Sequence, residues 1–295
     1  MLLRGLSAFP ITPADPGGVV DAPALRGLVR RLRDAEVNSI GLLGSTGSYP
    51  YLTRTERRRA IEAALPETGS VPLLVGVGAL RTDEAIALAQ DARAAGATAG
   101  LLAPVSYTPL TEDEVFEHFT TVARESRLPL CIYDNPGTTH FRFSTGLVAR
   151  LSQDPGIVAV KSPCPAPPDA PPHLAELRRV VPEAFSLGYS GDWNVLHALL
   201  AGADAWYSVV AGLFPRISLD LLRAAQAGDA AEARRLNDEL QPLWALFQAH
   251  SSLRVIYCCA NLLGLCHTAP PRPILPLAGE ARQQVAAVLD RLNVA

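Results

Sequence analysis

Eight short apolar runs punctuate the chain, at residues 6–9, 39–43, 73–77, 99–102, 130–133, 157–161, 184–187 and 205–209. Each is apolar on both alternating faces and has a Gly, Pro, Ser or Asn within the next three residues. A strand of that kind must be covered on both sides, which is the condition of a parallel sheet wrapped by helices. Between the runs the pattern turns helical and carries start signals. Thr53 with Glu56, and Thr111 with Glu114, have capping-box spacing, in which hydroxyl and carboxylate satisfy the orphan amides of a first turn. Thr82, followed by two acids, predicts a further helix start, and Gly96 its stop.

Eight strand–helix alternations over roughly 210 residues fit a (β/α)8 barrel, which usually needs about 250. A doubly wound open sheet is the alternative, but no dinucleotide fingerprint accompanies the alternation. The fold class expected is therefore α/β: a TIM barrel over residues 1–218, with a C-terminal helical bundle over residues 219–295, which read as helical throughout. A chain of 295 residues, 48% hydrophobic, can bury such a core. The proline-rich stretch at residues 163–172 reads as a surface loop, since the rhythm resumes beyond it.

Charge and motifs exclude several function classes. A net charge of −3 gives no electrostatic case for nucleic acid or an anionic membrane. Arg57, Arg58 and Arg59 read as one solvated helix face. No apolar stretch has the length of a signal peptide core or a membrane span. Five cysteines without a C-x-x-C predict a reducing cytoplasm, with Cys258 and Cys259 in the core. There is no G-K-[ST] for a P-loop, and Gly188-Tyr189-Ser190-Gly191 misses a hydrolase elbow by one residue, leaving Ser190 a distant candidate nucleophile. The histidines are dispersed, so no metal ligand set is expected, and His118 and His197 read as structural.

In a barrel, chemistry collects at the C-terminal ends of the strands. Those positions hold Ser45, Thr46, Ser48, Tyr107, Tyr133, Thr138, Lys161, Gly191 and Tyr207. Lys161 is the only lysine, since 25 of the 26 basic residues are arginine. An apolar strand delivers it to the barrel mouth, where desolvation favours a free amine that can attack a carbonyl. Arginine would serve a plain salt bridge equally well but cannot form a Schiff base. Tyr133 ends the neighbouring strand, where a phenol can shuttle protons. Ser45 and Thr46 lie in a glycine-flanked turn suited to holding a carboxylate.

The chain resembles the dihydrodipicolinate synthase / N-acetylneuraminate lyase family of Schiff-base aldolases. The likeness lies in "AFPIT" (Ala8 to Thr12), "GSTG" (Gly44 to Gly47), "PLTEDEVFEHF" (Pro109 to Phe119), "IYDNPGTT" (Ile132 to Thr139), "VAVK" (Val158 to Lys161), "SGD" (Ser190 to Asp192) and "RPILP" (Arg272 to Pro276). It implies a class I lyase in which Lys161 forms an imine with pyruvate or another 2-oxo acid, with no metal or organic cofactor. It makes Tyr133 the proton-transfer residue and gives carboxylate binding or proton relay to Ser45 and Thr46. It puts Tyr207 and Gly191 at the substrate pocket and implies a homo-oligomer, tetramer or dimer.

Departures from the family pattern narrow the expected substrate. Ser48 replaces a glutamate after "GSTG". The paired tyrosines of a P-Y-Y segment become Val105-Ser106, with Tyr107 one place later. Thr138 stands where a dihydrodipicolinate synthase carries an arginine for the carboxylate of aspartate semialdehyde, and a lost guanidinium removes that bidentate anchor. A different aldehyde is therefore expected, with Thr138, Phe141 and Trp193 toward a bulkier partner. The alternatives are a true 4-hydroxy-tetrahydrodipicolinate synthase, a 2-keto-3-deoxy sugar acid aldolase or dehydratase, and a non-catalytic 2-oxo acid binder.

Overall fold

The computed structural model describes residues 3–292. Its strands are β1 (Gly5–Ala8), β2 (Ser39–Leu42), β3 (Leu73–Gly76), β4 (Ala99–Leu102), β5 (Leu130–Tyr133), β6 (Ile157–Pro163), β7 (Ser186–Ser190) and β8 (Ala205–Ser208). All pair in parallel in chain order, and β1 closes on β8 through Ser7 opposite Tyr207. That pairing makes the sheet a barrel and excludes the open alternative.

The period-two alternation of each strand divides its residues between two cores. Leu74, Leu101, Cys131, Ala159 and Tyr207 fill the barrel interior. Ile40, Val75, Leu102, Ile132, Val160 and Trp206 face the surrounding helices. Both sets are apolar, which is why the runs show no polar face. Two glycines set the interior's shape: a Cβ at Gly41 would fall in the Phe9 ring, and one at Gly188 would meet Tyr207 and Ala205.

Several boundaries differ from expectation. β6 continues to Pro163, so Lys161 lies two residues inside the strand rather than at its tip. β7 lies two to three residues later than its apolar run. Its Gly188 and Ser190 look like turn residues, but the glycine gives room to Tyr207, and Tyr189 reaches the helix layer to bond His173 Nδ1 at 2.8 Å. The prolines of residues 163–172 are not one loop. They end β6, form the turn Pro167–Asp169 and open helix Ala170–Val180, where a missing N–H costs nothing.

Thr111 and Glu114 form the full capping box. Thr53 accepts from the Glu56 amide, but the Glu56 carboxylate turns away to the Val20 amide at 2.8 Å. Thr82 does not cap its helix, since its hydroxyl bonds His118 Nδ1 at 3.0 Å. Gly96 ends that helix with φ 110°. Arg57 leaves the solvated face assigned to it. It is 8% exposed, lies over the Tyr49 ring and donates to the Gly78 carbonyl at 2.9 Å.

Helix Pro215–Gln226 runs through the boundary expected at residue 218. Helices Ala230–Glu239, Gln241–His250, Ser252–Leu262 and Gly279–Leu292 follow. Residues 263–278, expected to be helical, are irregular, because Pro270, Pro271, Pro273 and Pro276 cannot continue a helix. Among the described residues no helix is long and apolar enough to cross a membrane.

Candidate active site

Tyr133 and Lys161 are register partners across β5 and β6. Both lie on the interior face, because Cys131 and Ala159, two residues earlier on the same strands, belong to the interior core. Lys161 is only 4% exposed. Its Nζ lies 4.0 Å from the centroid of Phe9, 4.3 Å from that of Tyr133 and 6.0 Å from that of Tyr207. The faces of the three rings attract the cationic head by their quadrupoles, and the group becomes a nucleophile for a carbonyl only once deprotonated. Gly41 and Gly44 make this possible by leaving the room that Phe9 occupies.

The Tyr133 hydroxyl donates to Ser45 Oγ at 3.0 Å. Asn135, absent from the sequence expectations, donates from Nδ2 to the Tyr133 hydroxyl at 3.0 Å and to Ser45 Oγ at 3.4 Å. An asparagine two residues beyond a strand-end tyrosine, just before proline, has the local signature of a helix cap, which does not distinguish it as a site residue. Its side chain makes no cap. The backbone carbonyl of Asn135 accepts from the Thr138 and Thr139 amides, both at 3.0 Å, and from their hydroxyls at 3.2 and 3.1 Å. Thr138, expected at the substrate, is exposed and turns its hydroxyl back onto Asn135.

The remaining candidates are dispersed around this centre. Thr46 is buried beside Ser45. Ser48 is buried in a left-handed turn, φ 55°, and shares a 3.2 Å hydrogen bond with the Tyr257 hydroxyl. Tyr207 is fully buried in the barrel floor, where its hydroxyl takes the Cys131 thiol at 3.6 Å. Burial pushes that thiol up to about 12. Gly191 follows β7 with φ 87°, a conformation that favours glycine. Tyr107 is 97% exposed. Phe141 packs edge-on against Phe143 at 5.1 Å, and Trp193 is half-buried.

Two buried carboxylates flank the centre. Asp192 accepts from Trp206 Nε1 at 2.8 Å and from the Val209 and Val210 amides at 3.1 and 2.8 Å, tying the end of β7 to that of β8. Asp134 has one oxygen buried without a partner among the described residues, and burial pushes it up to about 6. Among the described residues no three His, Cys, Asp or Glu side chains gather as a metal-holding group.

A sequence model of the dihydrodipicolinate synthetase family matches residues 2–292. The chain belongs to this family. A 4-hydroxy-tetrahydrodipicolinate synthase from Thiobacillus denitrificans is 34% identical to it, over 97% of this chain and 96% of the relative. The crystal structure of dihydrodipicolinate synthase from Agrobacterium tumefaciens superposes with a TM-score of 0.96 at 58% identity, covering 98% of both chains. A chloride-inhibited dihydrodipicolinate synthase from Acinetobacter baumannii, solved in complex with pyruvate, superposes over the full length of both chains with a TM-score of 0.91 at 27% identity. The family resemblance read from the sequence holds, and with it the class of a Schiff-base lyase.

Proposed function

We propose that this dihydrodipicolinate synthetase family member captures pyruvate or another 2-oxo acid as an imine on Lys161. The observation that carries the reading is the buried amine set between Phe9 and Tyr133, with the phenol bonded to Ser45. Nζ attacks the keto carbon and gives a carbinolamine. As the C=N bond forms, the carbinolamine C–O bond breaks, and a proton passed from Tyr133 through Ser45 leaves with the hydroxide as water. A proton from the carbon next to the imine then returns to the phenolate along the same chain, and the resulting enamine attacks an aldehyde. The reverse order cleaves an aldol. Ser45 and Thr46 hold the carboxylate of the 2-oxo acid, with Gly191 and the Tyr207 backbone beside it. The bond-making partner is an aldehyde, and neither a metal nor an organic cofactor enters the scheme.

Thr138 supports an aldehyde other than aspartate semialdehyde, because its hydroxyl is committed to Asn135 and the residue at this position carries no guanidinium of its own. The name shared by the curated relatives favours a second reading, 4-hydroxy-tetrahydrodipicolinate synthase itself. We assign the chain to a homo-oligomer, tetramer or dimer, since Leu80 and Tyr107, 65% and 97% exposed, offer apolar surface for a second copy to cover. Five buried, unpaired cysteines support a cytoplasmic setting.

Borohydride added with pyruvate tests the central claim. A reduced pyruvyl adduct on Lys161 is expected, and no adduct across a panel of 2-oxo acids on folded protein would overturn it. Coupled turnover with aspartate semialdehyde and with sugar-derived aldehydes then separates the two readings.

A further inference from the structure

We infer that Asn135 is a positioning residue that sets the direction of the hydrogen-bond chain through Tyr133 and Ser45, an inference that rests on the imine reading of Lys161. A carboxamide nitrogen only donates. With Asn135 Nδ2 directed at the Tyr133 oxygen, the phenol proton has one acceptor left to it, Ser45 Oγ at 3.0 Å. Ser45 receives a second donor, the same Nδ2 at 3.4 Å. With both lone pairs of its oxygen occupied, Ser45 points its own proton outward, where a substrate carboxylate can accept it. The chain therefore runs from the Asn135 amide through the phenol and the serine to the ligand.

The same amide matters more once the phenol has given up its proton. The carbinolamine hydroxide leaves as water with a proton passed on by Ser45 as Ser45 takes the Tyr133 proton, and a phenolate remains until a proton from the substrate carbon returns along the same chain. Asn135 needs no rearrangement to donate to that anion, and a hydrogen bond to a charged group is stronger than one between neutral groups. Its fixed position comes from the backbone. Thr138 and Thr139 pin the Asn135 carbonyl through two amides and two hydroxyls, so the side chain is released from capping and held in the barrel mouth. Expected site residue Thr138 thus acts at one remove, by fixing Asn135.

Exchange of the pyruvate methyl protons in D2O, followed by NMR, reads this step without any knowledge of the aldehyde. The variants are N135D, which keeps the shape but loses the donor, and N135L, which loses all polarity. Both are expected to form the borohydride-trapped adduct on Lys161. Their exchange rates at saturating pyruvate should fall about ten- to a hundredfold, the range for one lost hydrogen bond to a charged group. The half-saturating pyruvate concentration should rise by much less than the rate falls, because the amide bonds the phenolate directly and reaches the carboxylate only through Ser45. Wild-type exchange in N135D would reduce Asn135 to packing and overturn the inference, as would equal shifts in rate and half-saturation. If N135L fails to fold, N135D alone carries the test. A wild-type protein that takes no label would overturn the imine reading itself; a labelled wild type with unaffected variants would overturn only the role of Asn135.

Discussion

Lys161 and Tyr133 face each other across the β5–β6 ladder, with Nζ 4.3 Å from the centroid of the phenol ring. The pairing register alone creates this proximity. A slip of one residue would send one of the two side chains to the helix layer and leave the other in the interior. Replacing Lys161 by arginine should keep a cation over Phe9 and Tyr133 while removing the nucleophile. Labelling by pyruvate and borohydride should vanish, and turnover should drop by on the order of a thousandfold or more. Mass spectrometry of the reduced protein checks the first, and a lyase assay the second.

Gly41 gives Phe9 the room it needs beneath the amine. Gly41→Ala should destabilise the fold by about 1–3 kcal/mol through overpacking and slow adduct formation together. Adding Phe9→Leu should recover part of the stability but not the labelling rate. Urea unfolding and the time course of labelling measure the two effects, and independent, additive losses would sink the explanation.

Burial pushes the Asp134 carboxyl from near 3.8 up to about 6. The folded chain therefore holds this proton more tightly than the unfolded chain. The stability that results is fully present below pH about 4 and is lost as pH rises through about 6, for a total of about 3 kcal/mol. Asp134→Asn should match the wild type near pH 4 and exceed it near pH 7. Denaturation midpoints across that window test the sign, and parallel curves for the two proteins would contradict it.

Asp192 collects the indole N–H of Trp206 and two backbone amides at the junction of β7 and β8. Asp192→Ala leaves two buried donors and one partly buried donor unpaired and should destabilise by roughly 3 kcal/mol or more. Asp192→Asn retains one acceptor oxygen and should lie between that variant and the wild type. Thermal unfolding of the three proteins gives the order directly.

All five cysteines are buried and free, and burial pushes the Cys131 and Cys164 thiols up to about 12. A thiol that is neither exposed nor ionised does not attack an aromatic disulfide reagent. Native protein should release almost no thionitrobenzoate, and the unfolded chain five equivalents. A rapid stoichiometric reaction of the native protein would show that one thiol opens to solvent.

The eight runs, the lysine kept where arginine fills every other basic position, and the tyrosine one strand before it were all legible in the linear order. Local pattern carries that information, because burial on both faces and strand length are properties of consecutive residues. The later start of β7 was not legible. Gly188 and Ser190 signal a turn locally, and only the Tyr207 ring on the neighbouring strand β8 explains why the strand continues. Arg57 looked like its neighbours Arg58 and Arg59 until helix Arg54–Thr68 placed it over Tyr49.

The site divides along the same line. By itself the sequence determined the eight parallel strands and the two reactive side chains on adjacent ones, since alternation and strand order suffice to place them. Closure of the barrel decided the rest: Phe9 under the amine, Ser45 from β2's loop against Tyr133, Thr138 turned outward, and Asn135 turned inward to the phenol. Those contacts join residues up to 152 positions apart, Phe9 to Lys161, and depend on the direction each side chain takes once the strands are in register. Spacing along a chain does not encode that direction; packing does.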